Sequence, residues 1–385
     1  MRFVKFEGQA PRQAHTGIPQ GVYEREMGKA GFDGPVSHIY QAHPPTAWLR
    51  WEGVLRPRAF TTKRLAGVVP SLWDAPVLAR SASFEMRFWR HDTNSALCRN
   101  ADGDLFLFAH VGGGVIFSDF GSLDFEAGDL VYLPKGTAWR VEPSTVCEWL
   151  SIESAQPFGI PDRGLLGQHS PFDPGVLESP KLDERYAKQR EQSEWPIMVK
   201  RRGQISTVVY PFNPLDTVGW KGSLSVIKLN WRDIRAVASH RYHVPPTAHC
   251  AFASASVAIC VFTPRPIESS ADALKVPFFH SNDDYDEFVF FHSGRFFSRD
   301  SAEPGALTFH PAGVPHGPHP QAFRNAEQRA GQIAEEVALN IDVAEPVEIV
   351  APPAMELHEY ADSWRGYLER EVAEAGATMA ERAEQ

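Results

Sequence analysis

Short apolar runs broken by glycine dominate two stretches of the chain, and runs of that length bounded by turn residues predict antiparallel β-strands. Residues 86–155 contain LFLFAHVGGGVIF and then SLDFEAGDLVYLPKG, and residues 201–350 return to the same texture. Residues 1–85, with HPPTAWLRWEG and RPRAF, predict β-hairpins and loops rather than helices. Residues 156–200 turn polar, and their charged run KLDERYAKQREQSEW predicts a linker with one helical stretch. From Met355 to Gln385, Ala, Glu and Arg reach helical density, which predicts a terminal helix. The expected organisation is an N-terminal β region at 1–165 with one β-domain repeat near 86–155, a linker at 166–200, a second β-domain at 201–350 and a helical tail at 351–385.

The two β stretches are copies. Setting CRNADGDLFLFAHVGGG beneath HSNDDYDEFVFFHSGRF without gaps puts Asn100 on Asn282, Asp104 on Asp286, His110 on His292 and Gly112 on Gly294. Setting GDLVYLPKGTAWR beneath GALTFHPAGVPHG puts Gly128 on Gly305, Leu130 on Leu307, Pro134 on Pro311 and Gly136 on Gly313. Two blocks in the same order mean a duplicated domain. Where the second copy has His280, Glu287 and His316, the first has Cys98, Leu105 and Trp139. Three potential ligands present together in one copy and absent together in the other describe a metal site kept once and lost once.

In the second copy, period two puts Glu287, Val289 and Phe291 on one strand face and Phe288, Phe290 and His292 on the other. A Glu on a strand this apolar needs a partner, because a lone carboxylate is costly in a core. A lone histidine separated by six residues from a glutamate on a strand edge is ordinarily surface chemistry. The His310/His316 pair and the copy comparison reverse that balance in favour of a two-His, one-carboxylate triad, which leaves positions open on non-haem Fe(II). His310 is a candidate for the pocket wall or for a hydrogen bond behind the ligands. His243, in SHRYHVPP, is a candidate acid/base or a solvated loop residue. His292, repeated as His110, is read as structural, and His240, His249 and His319 as neutral surface or loop residues.

Composition narrows the function classes. The net charge is −10 over 385 residues and no basic block stands out, so nucleic acid is an unexpected partner. The stretch Ala248–Phe262, the longest that leans apolar, falls short of the ~20 residues that span a bilayer, and no membrane partner is expected. Cys98, Cys147, Cys250 and Cys260 are scattered, which predicts reduced thiols and a cytoplasmic protein. Eight of the fifteen histidines fall between His240 and His319, where the candidate site lies.

With these residues in view, the chain resembles the homogentisate 1,2-dioxygenase family, in particular its shorter bacterial members. The block His280-Ser-Asn282-Asp-Asp284-Tyr285-Asp286-Glu287 is similar to the family's His-x-Asn-x-Asp-Tyr-Asp-Glu, and His310-Pro-Ala-Gly-Val-Pro-His316-Gly-Pro318 to its His-Pro-x-Gly-x-x-His-Gly-Pro. Asn213-Pro-Leu-Asp216-Thr-Val-Gly219-Trp220-Lys-Gly222 looks like its Asn-Pro-Phe-Asp-x-Val-Gly-Trp-x-Gly, His243-Val-Pro-Pro-Thr247 holds the place of its His-Asp-x-Pro-Ser loop, and Thr263-Pro264-Arg265 follows as its Pro-Pro-Arg does. The resemblance is strong over about 200–350 and looser before that.

The resemblance implies an all-β bicupin, two jelly-roll barrels with only the C-terminal one metallated. It implies Fe(II) held by His280, Glu287 and His316, a proton taken from the substrate by His243, and substrate positioned by Asn282, His310 and the ligand His316. The implied reaction opens homogentisate with O₂ to maleylacetoacetate, in tyrosine and phenylalanine catabolism, and the implied assembly is a homotrimer or hexamer. Phe278, Phe279 and Phe296 stand where better-known members carry tyrosines, which keeps gentisate or a substituted hydroquinone open as substrate. From a different class, the alternatives are a non-catalytic metal-binding cupin and a cupin isomerase.

Overall fold

The computed structural model describes residues 5–31, 34–189, 192–297, 299 and 302–368. Two β-barrels account for most of them. The N-terminal barrel pairs a seven-stranded with a six-stranded sheet, and the C-terminal barrel pairs a six-stranded with a three-stranded sheet. The fold is an all-β bicupin.

The copies have the same wiring. Asp104–Val111 lies between Asp129–Leu133 and Cys147–Ser154, and Asp286–Ser293 lies between Ala306–His310 and Val337–Val343, all antiparallel. The repeated aspartates explain part of the match. Asp104 Oδ1 accepts the backbone N–H of Lys135 at 2.8 Å, and Asp286 Oδ1 accepts that of Ala312 at 2.8 Å, so each braces the Pro-x-Gly turn after the next strand. The repeated glycines do the same for the hairpin. Gly128 N–H donates to Ala109 O and Gly305 N–H to Phe291 O, with both glycines at positive φ (100° and 85°).

Alternation along these strands divides the apolar residues between two cores. Phe106 and Phe108 face the other barrel, where they join Phe288, Phe290, Phe88, Leu339 and Ile341 in the largest buried cluster of the molecule. Leu105, Leu107 and Ala109 face inward and fill the N-terminal barrel with Trp89, Trp139 and Trp149. At about 1.5–3 kcal/mol for each fully buried large side chain, both cores contribute heavily to stability. In the second barrel the inward residues of the matching strand are Glu287, Val289 and Phe291, and they line a cavity.

The domain limits differ from those expected. The hairpin Tyr23–Gly28/Val36–Gln41 and the strand Arg58–Thr61 belong to the C-terminal barrel, where they pair with Phe279–Asn282 and Ala306–His310. Conversely, the expected 200/201 boundary falls inside the hairpin Trp195–Arg201/Gln204–Tyr210, whose first strand runs parallel to Leu97–Asn100 in the N-terminal barrel. Ile227–Asn230 also pairs there, with Asp129–Leu133. The expected linker does hold a short helix, Glu184–Ala187, capped by the Asp183 side chain. Each barrel thus completes its sheets with strands from the other half. In the tail, Tyr360–Arg365 forms a 3₁₀ turn, and most of the expected terminal helix lies outside the described residues. No helix among the described residues is long and apolar enough to cross a membrane.

Candidate metal centre

His280 sits on Phe279–Asn282, Glu287 on Asp286–Ser293, and His316 just beyond the Pro311–Gly313 turn. Their backbones are tied together, since His280 N–H donates to His316 O at 2.9 Å and His316 N–H to His280 O at 2.8 Å. Gly317 is required there, because a Cβ on it would lie 2.7 Å from the Phe279 ring. Glu287 Oε2 is 3.7 Å from His280 Nε2 and 3.4 Å from His316 Nε2, and one potential ligand atom from each residue falls within 4.8 Å of the others. Both ring nitrogens of buried His316 lack a hydrogen-bond partner of proper geometry. A divalent ion is the partner such a set of atoms fits.

Behind the triad lies a braced layer. Glu287 Oε1 is 2.7 Å from His310 Nδ1, and because an ionised carboxylate only accepts, that nitrogen carries the proton. His310 Nε2 is then an acceptor, facing Tyr360 Oη at 3.0 Å and Arg299 Nη2 at 3.2 Å. Arg299 also donates to Tyr360 Oη and to Gly317 O. Burial alone would raise the Glu287 pKa, but His316, His280 and His310 outweigh it and hold the carboxyl well below its usual range. Burial pushes His310 down to about 3, against the pull of Glu287, so it stays neutral. On the adjacent strand Asp342 goes the other way: burial and the Glu287 charge hold it well above the usual carboxylate range.

The cavity beside the triad has a volume of about 110 Å³. Its polar wall includes His243, whose Nδ1 is 3.3 Å from Glu268 Oε1, while Glu268 Oε2 accepts Val276 N–H. Burial, countered by Glu268, lowers the His243 pKa, leaving a neutral imidazole. The buried ion pair Arg265–Glu336 (2.8 Å) forms another part of the wall. The apolar wall is Phe262, Phe278, Val289, Phe291 and Phe297.

The structure brings together His280, Glu287, His316 and His243. It does not bring Asn282 to the cavity: its strand register places it against Gly28 and its amide lies near Gly31, beside the N-terminal hairpin. His310 is fully buried behind Glu287 rather than in the wall, held there by its cross-strand pairing with Glu287. Of the three phenylalanines at tyrosine positions, only Phe278 lines the cavity; Phe279 packs on Tyr367 and Phe323, and Phe296 on Phe291. His249 and His319, read from sequence as surface or loop residues, are 3% and 2% exposed, and His249 lines the cavity. Tyr360, Arg299, Asp342 and Glu268 were not visible as site residues in the sequence, since each is joined to the site only by contacts between distant segments.

The family described as "Homogentisate 1,2-dioxygenase N-terminal" matches residues 25–230, more than half of the 385 residues. A Saccharolobus solfataricus protein bearing a dioxygenase name is 27% identical over 371 residues, covering 91% of this chain and 95% of that one. Homogentisate 1,2-dioxygenase of Bradyrhizobium diazoefficiens is 25% identical over 288 residues, 70% of this chain but only 63% of its own length. The enzyme of that name from Rhizobium leguminosarum is 24% identical over 348 residues, covering 85% and 75%. Solved structures similar to this chain include a cupin barrel protein of Leptotrichia buccalis (10% identity, 76% and 98% coverage, TM-score 0.35) and a mutant Bacillus subtilis oxalate decarboxylase (12%, 80% and 82%, TM-score 0.36). By the extent of the profile match, the chain belongs to the homogentisate 1,2-dioxygenase family.

Proposed function

We propose that this protein is an Fe(II)-dependent, extradiol-type ring-cleaving dioxygenase that converts homogentisate and O₂ to maleylacetoacetate, in tyrosine and phenylalanine catabolism. The observation that carries the reading is the triad His280–Glu287–His316, in which both ring nitrogens of buried His316 lack a hydrogen-bond partner of proper geometry, beside a cavity that His243 also lines. His280, Glu287 and His316 would hold the iron. When bound, Fe(II) lowers the pKa of a coordinated phenol and lends electron density to O₂.

The remaining work belongs to the chain's own residues. Glu268 accepts from His243 Nδ1, which leaves Nε2 as the basic nitrogen of a residue that lines the cavity, suited to take a phenolic proton. Phe278, Val289, Phe291 and Phe297 give the aromatic ring an apolar slot and exclude water. His310 fixes the direction in which Glu287 presents its second oxygen, and Tyr360 with Arg299 fixes His310. Phe278 offers no hydroxyl where the better-known members have one, and this favours a second reading, the same chemistry on gentisate or a substituted hydroquinone. The proposed enzyme is a homo-oligomer.

The test is O₂ uptake by anaerobically Fe(II)-reconstituted protein mixed with homogentisate, with product absorbance followed in parallel. Stoichiometric uptake that vanishes in Glu287→Ala supports the reading. Uptake with gentisate or a hydroquinone but not homogentisate moves the substrate, and no uptake with any of them overturns the dioxygenase reading in favour of a binding protein.

A further inference from the structure

A second cluster of ligand-type side chains lies outside the centre described above. His15, Glu24, Glu26 and His38 come from the N-terminal segment and the hairpin Tyr23–Gly28/Val36–Gln41, and the two glutamates are only 2% and 4% exposed. One potential ligand atom each from His15, Glu24 and His38 falls within 4.8 Å of the others. Within this cluster His15 Nδ1, Glu24 Oε1, Glu26 Oε2 and His38 Nε2 are all buried and all lack a hydrogen-bond partner of proper geometry. His15 Nδ1 approaches Glu24 Oε1 to 2.5 Å, off the line a hydrogen bond needs, and two electron-rich atoms hold such a distance only with positive charge between them.

Charge gives the same answer. Two buried carboxylates carry two negative charges, and among the described residues only histidines, His15 and His38, lie within ion-pairing distance of them. A buried charge left without compensation is strongly destabilising. Glu26 has the position of a supporting carboxylate. Its Oε2 is 3.3 Å from His15 Nε2, the ring nitrogen opposite Nδ1, where a carboxylate stands beside a metal-bound imidazole. His15 keeps a left-handed backbone (φ 61°), a conformation a non-glycine residue holds only where its surroundings impose it.

We propose that His15, Glu24 and His38 form a second site for a first-row divalent cation, with Glu26 as the carboxylate that orients His15. Mixed imidazole and carboxylate donors suit Zn²⁺, Mn²⁺ or Fe²⁺. The ion ties the N-terminal segment that bears His15 to the hairpin, whose first strand pairs with the barrel strand that bears His280, Glu26 being the register partner of His280. It also backs the cavity wall, since the His15 ring lies 5.9 Å from that of His243 and 5.4 Å from that of Phe278.

The test is equilibrium dialysis of the full chain against Zn²⁺, followed by elemental analysis. Wild type is expected to hold two ions, Glu287→Gln one, Glu24→Gln one and the double variant none. Because Glu24→Gln risks misfolding, His38→Ala serves as the second variant, and Zn²⁺ should raise the Tm of Glu287→Gln but not that of Glu287→Gln/His38→Ala. A wild type that holds one ion, lost in Glu287→Gln, overturns the proposal and leaves a proton-bridged cluster, as does Glu24→Gln that still holds two. Loss confined to Glu287→Gln reports on the barrel centre alone, so the two sites fail separately.

Discussion

In the N-terminal barrel, Cys98 and Trp139 face each other across a strand pair and pack with Leu105 in the core, all three 0–1% exposed. In the C-terminal barrel, His280 and His316 face each other across the matching bridge, with Glu287 beside them and a cavity in front. The backbone frame is the same, down to the aspartate that braces the Pro-x-Gly turn. A barrel interior is therefore a position that either apolar volume or a charged centre can fill, but the second choice needs a further layer. His310, Tyr360 and Arg299 supply it in one barrel. In the other, burial pushes the Cys98 thiol up to about 12, so it is a core group and not a thiolate ligand.

Matched substitutions test how far that contrast goes. The largest effect is expected at Glu287: Glu287→Ala loses bound metal and O₂ uptake altogether, while Leu105→Ala keeps both and loses about 2–5 kcal/mol of stability, read by denaturant titration. Next, His243→Ala should retain metal by elemental analysis but lose about 10²–10⁴-fold in turnover. Trp139→Ala is expected to cost about 3–5 kcal/mol with turnover per folded molecule unchanged, whereas His316→Ala abolishes metal retention. A smaller and equal loss, about 1–3 kcal/mol, is expected for Asp104→Asn and Asp286→Asn, since each leaves the same turn amide poorly paired; unequal losses would show that the two frames are not equivalent.

The smallest effect is in acid. Burial lowers His110 to about 4, and burial with His110 and Arg232 lowers His292 to about 3. Both folded values lie below the unfolded ~6.5, so the unfolded chain binds more protons in acid. Stability is then full above pH ~6.5 and falls by about 1 kcal/mol per histidine by pH ~5.5. A His110→Phe/His292→Phe variant should flatten that slope in a pH series of thermal melts.

The duplication, the strand faces and the grouping of His280, Glu287 and His316 were legible because each is written in local pattern or in the comparison of two nearby blocks. Val289 and Phe291 share the face of Glu287 and His292 points away, as period two requires, and its pairing with His110 is the structural role that its repetition implied. What was not legible depends on distant segments. Nothing near residues 23–28 announces that they lie beside His280, and nothing in the tail announces that Tyr360 reaches His310. Asn282 was carried forward with its motif, but its strand direction puts it toward the N-terminal hairpin. The 200/201 boundary was misplaced because composition changes there, whereas pairing does not: the hairpin runs through it.

The contacts between the barrels have one more implication. His110 Nδ1 meets His292 Nδ1 at 3.0 Å, Phe108 lies 4.9 Å from His292, and Phe290 lies 5.0 Å from His110. Each residue touches its own counterpart, and each cross-contact is answered by its reciprocal, which is the contact rule of a two-fold homodimer. Between separate identical copies every substitution would occur on both sides at once. Within one chain it occurs on one side, and the tether makes pairing independent of protein concentration. Specialisation of one half is thus open to this molecule in a way it is not to a symmetric dimer: one partner can become a scaffold without the other ceasing to be a reaction vessel.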